Sequence, residues 1–450
     1  MSSAILASNQ NSALINVLDA SPAKVNPHTY SLDKIYPFSS CQWVEHTPSN
    51  SNTVLGQSNT FDILKYGILT QLILEFDLYH STNVTGTAGN GTKISMPAIQ
   101  LIDSIELVSS SRVIQRLTRF DLMAMASDGS KSSQEAFAKG VAHSSGSGTN
   151  VALTHSATVA DTRACINITF PLLGSSRTQL NTTFNEPARV VVNWSNQKIY
   201  SGGSTQAFGI PKIDNCKITG RYINYNNEDD SALLNENYKD GTLSQLTYEY
   251  FDEVSSNAEL VVKTTDDSVF GNAGCEVEIK DTGVVSDIYV MLIADPSDQT
   301  LTGGSGLSAG LAVATMAKVG KPLPLTEIEF VASGQTIFSG NTDMLQLYGR
   351  VDPSSGQFYE NGFTDNTNHI TGLGLENVYR LQLGQDAHKN FCSGGISMRE
   401  LNAPKIRVKR QADTPSSGGQ LNARLRVVLR KHSVITCESS NGRMVSSLNN

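Results

Sequence analysis

The chain has 450 residues, a formal net charge of −8, 39% hydrophobic residues and 17% charged residues. This length fits two domains of about 200 residues each better than one domain. The negative charge argues against a protein that binds nucleic acid over its whole surface, and no apolar run reaches the ~18 residues of a transmembrane helix. Six scattered cysteines without a C-x-x-C pair argue against structural zinc and a disulfide scaffold.

The N-terminal residues 1–30 precede the first predicted strand and contain one weakly amphipathic patch, Ala4–Ala20. Two interpretations stay open for this segment: a short surface helix, or an arm that docks on a neighbouring subunit or on a membrane surface. A polar terminus is ordered only when something holds it, so the second interpretation requires a partner.

The rest of the first half predicts strands that are separated by polar turns. Ser127–Thr162 is rich in Ser, Gly and Thr and predicts a long surface loop with a helix at Ser133–Ala142. Asn226–Asp240 is acidic and polar and predicts the joint between the halves. The predicted strands are Cys41–Glu45, Tyr66–Tyr79, Ala164–Leu173, Arg189–Trp194 and Lys217–Tyr225.

The second half predicts the same order of strands and loops. Pro296–Lys321 and Val351–Glu376 are glycine-containing loops, and the first of them holds a predicted helix at Leu307–Ala317. The predicted strands are Leu246–Phe251, Glu276–Lys280, Val284–Ala294, Val378–Leu383, Lys405–Lys409 and Leu421–Leu429.

One segment occurs twice, as Ile105–Met125 and as Ile328–Tyr348. Each copy begins with a period-2 strand that places a glutamate, Glu329 in the second copy, opposite an apolar face. A small-residue turn and a second short run follow, and then a helix opens with a capping residue near Asp121 or Asp343. The copies lie 223 residues apart, about half the length of the chain, which indicates a duplicated domain.

Three further pairs of segments extend the repeat. Phe170–Gly174 is matched with Tyr379–Gly384, Leu180-Asn181 is matched with Leu401-Asn402, and the last strands of the halves, near 217–225 and 421–430, are matched with each other. Each half then has roughly eight alternating strands, and two packed antiparallel sheets of such strands form a jelly roll. We therefore predict an all-β protein with two tandem eight-stranded antiparallel jelly rolls and short helices in loops. The expected domains are an N-terminal arm at 1–30, a first roll with the joint at 31–240, and a second roll with a C-terminal tail at 241–450.

The sequence offers little for catalysis. The eight histidines form no H-x-H pair, and the motifs H-E-x-x-H and G-x-x-x-x-G-K-S/T do not occur. We predict no catalytic, cofactor-binding or metal-binding residue and no enzyme activity. The acidic residues Asp229, Asp230 and Asp252 leave one enzymatic alternative, a double-barrel hydrolase with its carboxylates at the junction of the rolls.

One stretch is strongly basic. Between Arg399 and Lys431 there are nine Lys or Arg residues against two acidic residues. Lys405, Arg407 and Lys409 alternate with apolar residues, which predicts that all three lie on one strand face. Two interpretations stay open: a solvated sheet face, or a basic wall that meets an acidic neighbour, lipid headgroups or packaged nucleic acid.

Four motifs in order across both halves carry a resemblance to a known family: 105–114 with 328–337, 170–174 with 188–194, 378–402, and 427–447. Within the third motif the matching residues are His388, Ser393, Gly394, Ser397, Arg399 and Asn402, and in the first motif Ser111 replaces the family's first turn glycine. The chain resembles the double jelly-roll major capsid proteins of tailless or membrane-containing icosahedral double-stranded DNA viruses. It is most similar to those of the nucleocytoplasmic large DNA virus lineage.

The resemblance implies assembly rather than catalysis. Three chains with two rolls each would form a pseudo-hexameric trimer that tiles an icosahedral virus shell, through a head-to-tail contact that closes at three copies. The implied location is the virion capsid, after assembly inside the host cell, and the implied partners are further copies of the chain and minor capsid or penton proteins. An inner membrane or packaged DNA would be contacted through Lys405, Arg407 and Lys409. No cofactor and no small-molecule substrate is expected.

A carbohydrate-binding viral surface or fibre protein stays as the main alternative. Such a protein would present aromatic side chains that stack on sugar rings from exposed loops. The two tryptophans of the chain, Trp43 and Trp194, both lie in strand patterns.

Overall fold

The structure is a computed structural model. It describes residues 39–50, 53–79, 92–109, 111–129, 131–141, 162–174, 180–182, 186–197, 199–201, 208–209, 211–225, 245–254, 261–263, 276–298, 319–342, 373–384, 394–410, 422–437 and 444–446. The predicted arm at 1–30, the joint Asn226–Asp240, the helix Leu307–Ala317, the cap Asp343 and the turn residue His388 lie outside these residues. Within them, no helix has the length and apolarity needed to span a bilayer.

The first half is a series of strands with four short helices among its described residues. In chain order these elements are β1 (Ser39–His46), β2 (Ser58–Asp62), β3 (Ile68–Tyr79), β4 (Thr92–Lys93), α1 (Pro97–Gln100), β5 (Ile102–Ser109), β6 (Arg112–Thr118), α2 (Arg119–Ser127), α3 (Lys131–Gly140), β7 (Thr162–Asn167), α4 (Pro171–Gly174), β8 (Leu180–Asn181), β9 (Ala188–Trp194), β10 (Tyr200–Ser201), β11 (Phe208–Gly209) and β12 (Lys212–Tyr225).

The second half is again a series of strands, here with short 3-10 turns at Pro296–Asp298, Leu375–Asn377 and Met398–Glu400. Its strands are β13 (Gln245–Glu253), β14 (Val261–Lys263), β15 (Glu276–Glu278), β16 (Val284–Ile293), β17 (Pro322–Leu323), β18 (Glu327–Ala332), β19 (Gln335–Asn341), β20 (Tyr379–Gln382), β21 (Ile396–Ser397), β22 (Lys405–Lys409), β23 (Asn422–Cys437) and β24 (Met444–Ser446).

Each half builds two antiparallel sheets with the same strand order. In the first half the sheets run β1-β12-β3-β7, with β8 also on β3, and β2-β9-β5-β6; a small third sheet runs β11-β10-β4. In the second half they run β13-β23-β16, with β17, β20 and β21 also on β16, and β15-β22-β18-β19. β14 and β24 extend the pairing of β23. No described strand of one half pairs with a strand of the other, so the chain forms two jelly rolls in tandem, as predicted.

The registers confirm the predicted repeat residue by residue. The β5–β6 ladder has a bulge between Leu107 and Val108, and the β18–β19 ladder has one between Phe330 and Val331, again 223 residues later. The ladder of β3 with β12 skips Thr70, and that of β16 with β23 skips Ser286. A bulge is an extra residue at one defined position of a ladder. Two bulges shared at matching positions therefore identify equivalent strands.

Two of the sequence pairings of segments are wrong. Tyr379–Gln382 is a strand, whereas Pro171–Gly174 is helix α4. The strand equivalent to β20 is β7, because Ile166 faces Leu74 where Tyr379 faces Val290. The segments that follow β7 and β20 differ in length. Similar apolar residues in such segments therefore do not show that they are equivalent.

The second wrong pairing matched Leu180-Asn181 with Leu401-Asn402. Leu180 in β8 faces Leu69, and its equivalent by register is Ile396 in β21, which faces Val285. The two short strands therefore occupy the same place in each roll, five residues earlier in the second roll than the motif indicated.

Alternation decides which side chains enter each sandwich. Along β3 the residues Leu72, Leu74, Phe76 and Leu78 are fully buried, and the residues between them are half-buried. Burial of such apolar side chains is the main favourable contribution to folding. The buried side chains of both halves form one contiguous cluster, because the rolls also pack against each other.

The helix that follows the first duplicated strand pair confirms the prediction, with a correction to its cap. Helix α2 begins after Thr118, whose hydroxyl accepts a hydrogen bond from the Asp121 backbone N–H at 3.3 Å. The Asp121 carboxylate accepts from the Thr118 backbone N–H at 2.7 Å. Thr118 is therefore the N-cap, and Asp121 is the second member of a capping box.

Candidate functional site

The basic strand β22 has the predicted arrangement. Ile406 and Val408 are buried in the second sandwich, and Lys405, Arg407 and Lys409 lie half-buried on the outer face of the sheet. The alternation of strand side chains therefore places the three cations in one row, as the sequence indicated.

Every cation in this row has a carboxylate partner on a neighbouring strand. Lys405 and Arg407 contact Glu276 of β15 at 3.2 and 2.9 Å. Lys409 contacts Glu327 of β18 at 3.4 Å. Burial tends to raise the pKa of Glu276, but its hydrogen bonds and charge contacts with Arg407 and Lys405 lower the pKa below its ordinary value. Glu329 of β18 lies 3.5 Å from Arg407 and supplies a third carboxylate for the three cations. The row is therefore close to electrically neutral, and the geometry favours the interpretation as a solvated sheet face.

Other cations of the 399–431 stretch are also paired with carboxylates. Arg424 contacts Asp298 at 2.5 Å, Arg430 lies 3.8 Å from Asp287, and Lys431 contacts both Asp252 and Asp281 at 2.5 Å. These carboxylates are 126 to 179 residues away in the chain. A count of charges along a short stretch of sequence could not predict these distant partners. The cations of the stretch are mostly held in ion pairs within the protein and do not form a basic surface.

A group of buried charges lies at the junction of the two rolls, where helix α2 covers the outer face of the sheet β13-β23-β16. Arg119 of α2 forms a buried ion pair with Asp295, the second residue after β16. Two guanidinium groups contact the Phe120 ring: the Cζ atom of Arg119 lies 4.8 Å from the ring centroid, and that of Arg426 of β23 lies 4.5 Å from it. Such contacts add cation–π attraction to apolar burial.

The C-terminal end of α2 binds the same sheet through Asp128. This carboxylate accepts hydrogen bonds from the Tyr289 hydroxyl and from Arg380 Nη1, the latter at 3.3 Å. Arg380 Nε donates to Asp287 Oδ1 at 2.8 Å. Burial raises the pKa of the Tyr289 hydroxyl well above its ordinary value, which keeps it protonated as the donor.

Backbone hydrogen bonds add a second line of attachment between the rolls. The Ser95 N–H donates to the Val319 carbonyl at 3.0 Å, and Gln100 Nε2 donates to the Gly320 carbonyl at 2.7 Å. Together with the ion pairs of α2, these bonds fix one roll against the other.

The carboxyl groups at this junction differ in their electrostatics. Burial raises the pKa of Asp121 to about 8, and the nearby charges of Glu253 and Asp252 add to the increase. Burial also raises the pKa of Glu253. For Asp295 the effect of burial is outweighed by Arg119, Ser297 and Arg426, which hold its pKa below the ordinary value.

Of the junction residues the sequence indicated only Asp121, as a helix cap, and Asp252, as a candidate carboxylate; the ion pairs were not identified, although one signal was available. Asp287 interrupts an otherwise apolar strand, V-V-S-D-I-Y-V-M-L-I, and it is fully buried. A carboxylate in such a run requires a buried cation, which here is Arg380. The sequence does not say which of many arginines supplies it.

The tryptophans on which the carbohydrate-binding alternative depends have different environments. Trp194 is buried in β9 and its Nε1 donates to Asn59 Oδ1 at 2.7 Å. Trp43 is 52% exposed in the middle of β1. Neither residue lies on a loop. Within the described ranges no three His, Cys, Asp or Glu side chains are grouped in a way that could hold a metal ion.

Comparison by sequence found no matching family model and no matching curated protein. Comparison by structure found similar solved structures over most of the chain. A chain of the PBCV-1 virus capsid has a TM-score of 0.60 at 12% identity, with 93% of this chain and 98% of that chain covered. The Faustovirus major capsid protein has a TM-score of 0.56 at 8% identity, with 90% and 91% covered.

The mavirus major capsid protein gives a similar result, with a TM-score of 0.50 at 10% identity and 90% of each chain covered. The similarity extends over both rolls and their order along the chain, although almost no sequence identity accompanies it. The chain therefore has the double jelly-roll fold that these major capsid proteins have.

Proposed function

We propose that this chain is a major capsid protein, which assembles with further copies of itself into the shell of an icosahedral virus and is located in the virion. The observation that carries the proposal is the coverage of the structural similarity: more than nine tenths of this chain and of the PBCV-1 capsid chain superimpose as two successive rolls. A jelly roll alone serves many functions. Two rolls in the same order, over the same length, are a more specific feature.

The proposal includes the finer organisation. Three copies form a pseudo-hexameric trimer, and each copy contributes a first roll at 31–240 and a second roll at 241–450. The matching strand orders of the two halves support this division, since equivalent rolls can occupy alternate corners of a hexagonal block. The buried ion pair of Arg119 with Asp295 supports a fixed angle between the rolls, which a repeating lattice requires.

Contacts with minor capsid or penton proteins belong to the same proposal, as does a contact with an inner membrane or packaged DNA through Lys405, Arg407 and Lys409. The last contact has the weakest support, because Glu276, Glu327 and Glu329 neutralise the row. A test is the affinity for duplex DNA as a function of salt, for the wild type and for the triple substitution to glutamine. A contact through this row predicts a smaller salt dependence for the triple variant.

Mass in solution tests the central proposal. The full chain is expressed, and its mass is measured by light scattering after size-exclusion chromatography at micromolar concentration. We expect a particle of three times 48.4 kDa or a larger shell, with a hexagonal outline in electron micrographs. A monomer of 48.4 kDa under these conditions contradicts the proposal.

A further inference from the structure

The outer face of the sheet β1-β12-β3 carries an ion pair and an exposed tryptophan. Lys217 of β12 forms an ion pair with Glu45 of β1, and it lies 3.9 Å from Glu75 of β3. Trp43 faces Arg221 across the β1–β12 ladder. We call this outer face, defined by Trp43, Glu45, Glu75, Lys217 and Arg221, the Trp43 face.

The second roll contains the same arrangement at equivalent positions. Phe251 of β13 faces Arg430 of β23, as Trp43 faces Arg221. Arg426 forms an ion pair with Glu253 at 3.0 Å, in the place where Lys217 pairs with Glu45. The ladder bulges match in the same strands, so these equivalences follow from the register and not from sequence similarity.

The two equivalent faces differ in what covers them. Phe251 is 7% exposed and Trp43 is 52% exposed. The cover in the second roll is the first roll itself: helix α2 contacts β13 and β23, and Phe120 lies over Arg426. The Trp43 face has no such cover among the described residues, which leave exposed in one roll a surface that they bury in the other.

A second pair of equivalent surfaces differs in the opposite direction: the surface is buried in the first roll and exposed in the second. Strand β6 of the first roll contacts β13 and β24 of the second roll, and its Ile114 is 2% exposed. The equivalent residue in β19 of the second roll, at the same bulge, is Ile337, which is 44% exposed. The exposed surface of β19 is therefore equivalent to the surface of β6 on which the second roll packs. We call it the Ile337 edge, defined by Ile337 and Phe338.

From these two comparisons we infer that the Trp43 face of one copy docks on the Ile337 edge of a second copy, in the manner in which β13 docks on β6 within one chain. The inference rests on the proposed function, which requires contact between copies, and it assigns the surfaces that make that contact. The two surfaces are different, so the contact is head-to-tail and leaves one free surface of each kind until a ring closes.

The chemistry of the Trp43 face predicts how this contact differs from the one within the chain. The outward residues of β16 that the first roll covers include Tyr289, Met291 and Ile293, all fully buried. At the equivalent positions β3 has Ile73, Glu75 and Asp77. The contact between copies is therefore more polar and more sensitive to salt than the contact within a chain, with Trp43 as its apolar anchor.

Two single substitutions block one surface each. Trp43→Asp places a charge in the Trp43 face, and Ile337→Asp places one in the Ile337 edge. Both residues are exposed, so each variant retains the fold, which near-UV circular dichroism checks. Each variant alone is expected to associate more than about 30-fold more weakly than the wild type and to run as a monomer. Val113→Asp is the matched control, because Val113 is 43% exposed on β6 and lies outside both surfaces; it is expected to assemble as the wild type does.

Mixing the two blocked variants tests the direction of the contact. The Trp43→Asp chain keeps its Ile337 edge and the Ile337→Asp chain keeps its Trp43 face, so one intact contact remains between them. We expect an equimolar mixture to form a dimer of twice 48.4 kDa that grows no further. Monomers that stay monomeric after mixing overturn the head-to-tail pairing of these two surfaces.

The outcomes separate this inference from the proposed function. If the wild type forms trimers and both variants also form trimers, the surface assignment is wrong and the capsid proposal stands. If the wild type is a monomer, the capsid proposal is wrong, and the inference is wrong with it.

Discussion

The two rolls share one backbone plan but fill it with different side chains. In the first roll one row of inward residues across the sheet is Phe61, Val190 and Leu107. In the second roll the equivalent row is Val277, Ile406 and Phe330. The aromatic residue has moved from one end of the row to the other, and the opposite end has become smaller. The fold thus depends on which positions face inward and on their summed volume more than on the identity of any one residue.

The outer faces of the rolls show a second difference. The ion pair Lys217–Glu45 and its equivalent Arg426–Glu253 occupy the same places on β12–β1 and β23–β13, but only the second is covered by another roll. An exposed ion pair contributes little to stability, whereas removal of one partner of a buried pair leaves a charge that water does not solvate. Equal contacts in the two rolls therefore have unequal consequences.

A substitution in the inward row is expected to have the largest effect on the free energy of unfolding. Phe330→Ala removes a fully buried ring, and we expect the free energy of unfolding to fall by about 3–5 kcal/mol. The matched control is Glu329→Ala on the outer face, expected to cost about 1 kcal/mol or less, because its contact with Arg407 is long, at 3.5 Å, and partly exposed. Urea denaturation followed by circular dichroism measures both. Equal losses would show that the assignment of the two faces is wrong.

The outer ion pairs give the next largest effect. Arg426→Ala is expected to cost about 3 kcal/mol, because Glu253 stays buried without that cation while Arg119 continues to balance Asp295. Lys217→Ala at the equivalent position is expected to cost about 0–1 kcal/mol. Both are measured by urea denaturation in the Trp43→Asp background, so that assembly does not contribute. Similar losses of stability at the two positions would mean that the first roll does not exclude water from the ion pair of the second.

Much of the fold was predictable because it depends on local periodicity. The alternation in K-I-R-V-K predicts strand β22, and the repeated segment at Ile105 and Ile328 establishes two equivalent rolls. The partners of charged residues were not predictable in this way. Lys405 was correctly placed on an outer face, but its partner Glu276 is 129 residues away. Only the three-dimensional register brings them together.

The junction was beyond sequence reasoning for the same reason. Arg119 and Asp295 are 176 residues apart, and neither belongs to a recognisable motif. The sequence predicts a helix that opens near Asp121, whereas helix α2 begins at Arg119 and buries six consecutive residues, Arg119 to Ala124. That its outer side is covered by a second roll depends on the packing of the halves, which no local pattern encodes.

Stability as a function of pH gives a further prediction, because Asp121 lies where α2 covers the second roll. Its pKa of about 8 in the folded state lies above the ~3.9 of an unfolded chain. The folded state therefore binds the proton more tightly, and stability from this group is present below about pH 4 and is lost as pH rises towards 8, by at most about 1.4 kcal/mol per pH unit.

The substitution Asp121→Asn isolates this contribution. Asparagine retains an acceptor for the Thr118 N–H and does not ionise. We expect the variant and the wild type to have similar free energies of unfolding at or below about pH 4, and the variant to be increasingly the more stable one as the pH rises to 8. Parallel pH profiles for the two proteins would contradict the assignment. Glu253 also has a raised pKa, so a residual slope in the variant is expected.

The smallest expected effect on stability is at the duplicated turn, where the two rolls have different residues at equivalent positions. Ser111 has a φ of 65°, and its equivalent Gly334 has a φ of 75°, so both occupy the left-handed region. An L-residue pays about 1–2 kcal/mol of strain there, whereas glycine loses about 0.4–1 kcal/mol through its more flexible unfolded state. Nothing lies within 4 Å of a Cβ built on Gly334, so strain and entropy alone decide the result. We therefore expect Ser111→Gly to stabilise and Gly334→Ser to destabilise, each by about 1 kcal/mol or less, in urea denaturation. Changes of the same sign would mean that the two turns, although equivalent in register, are held by different contacts.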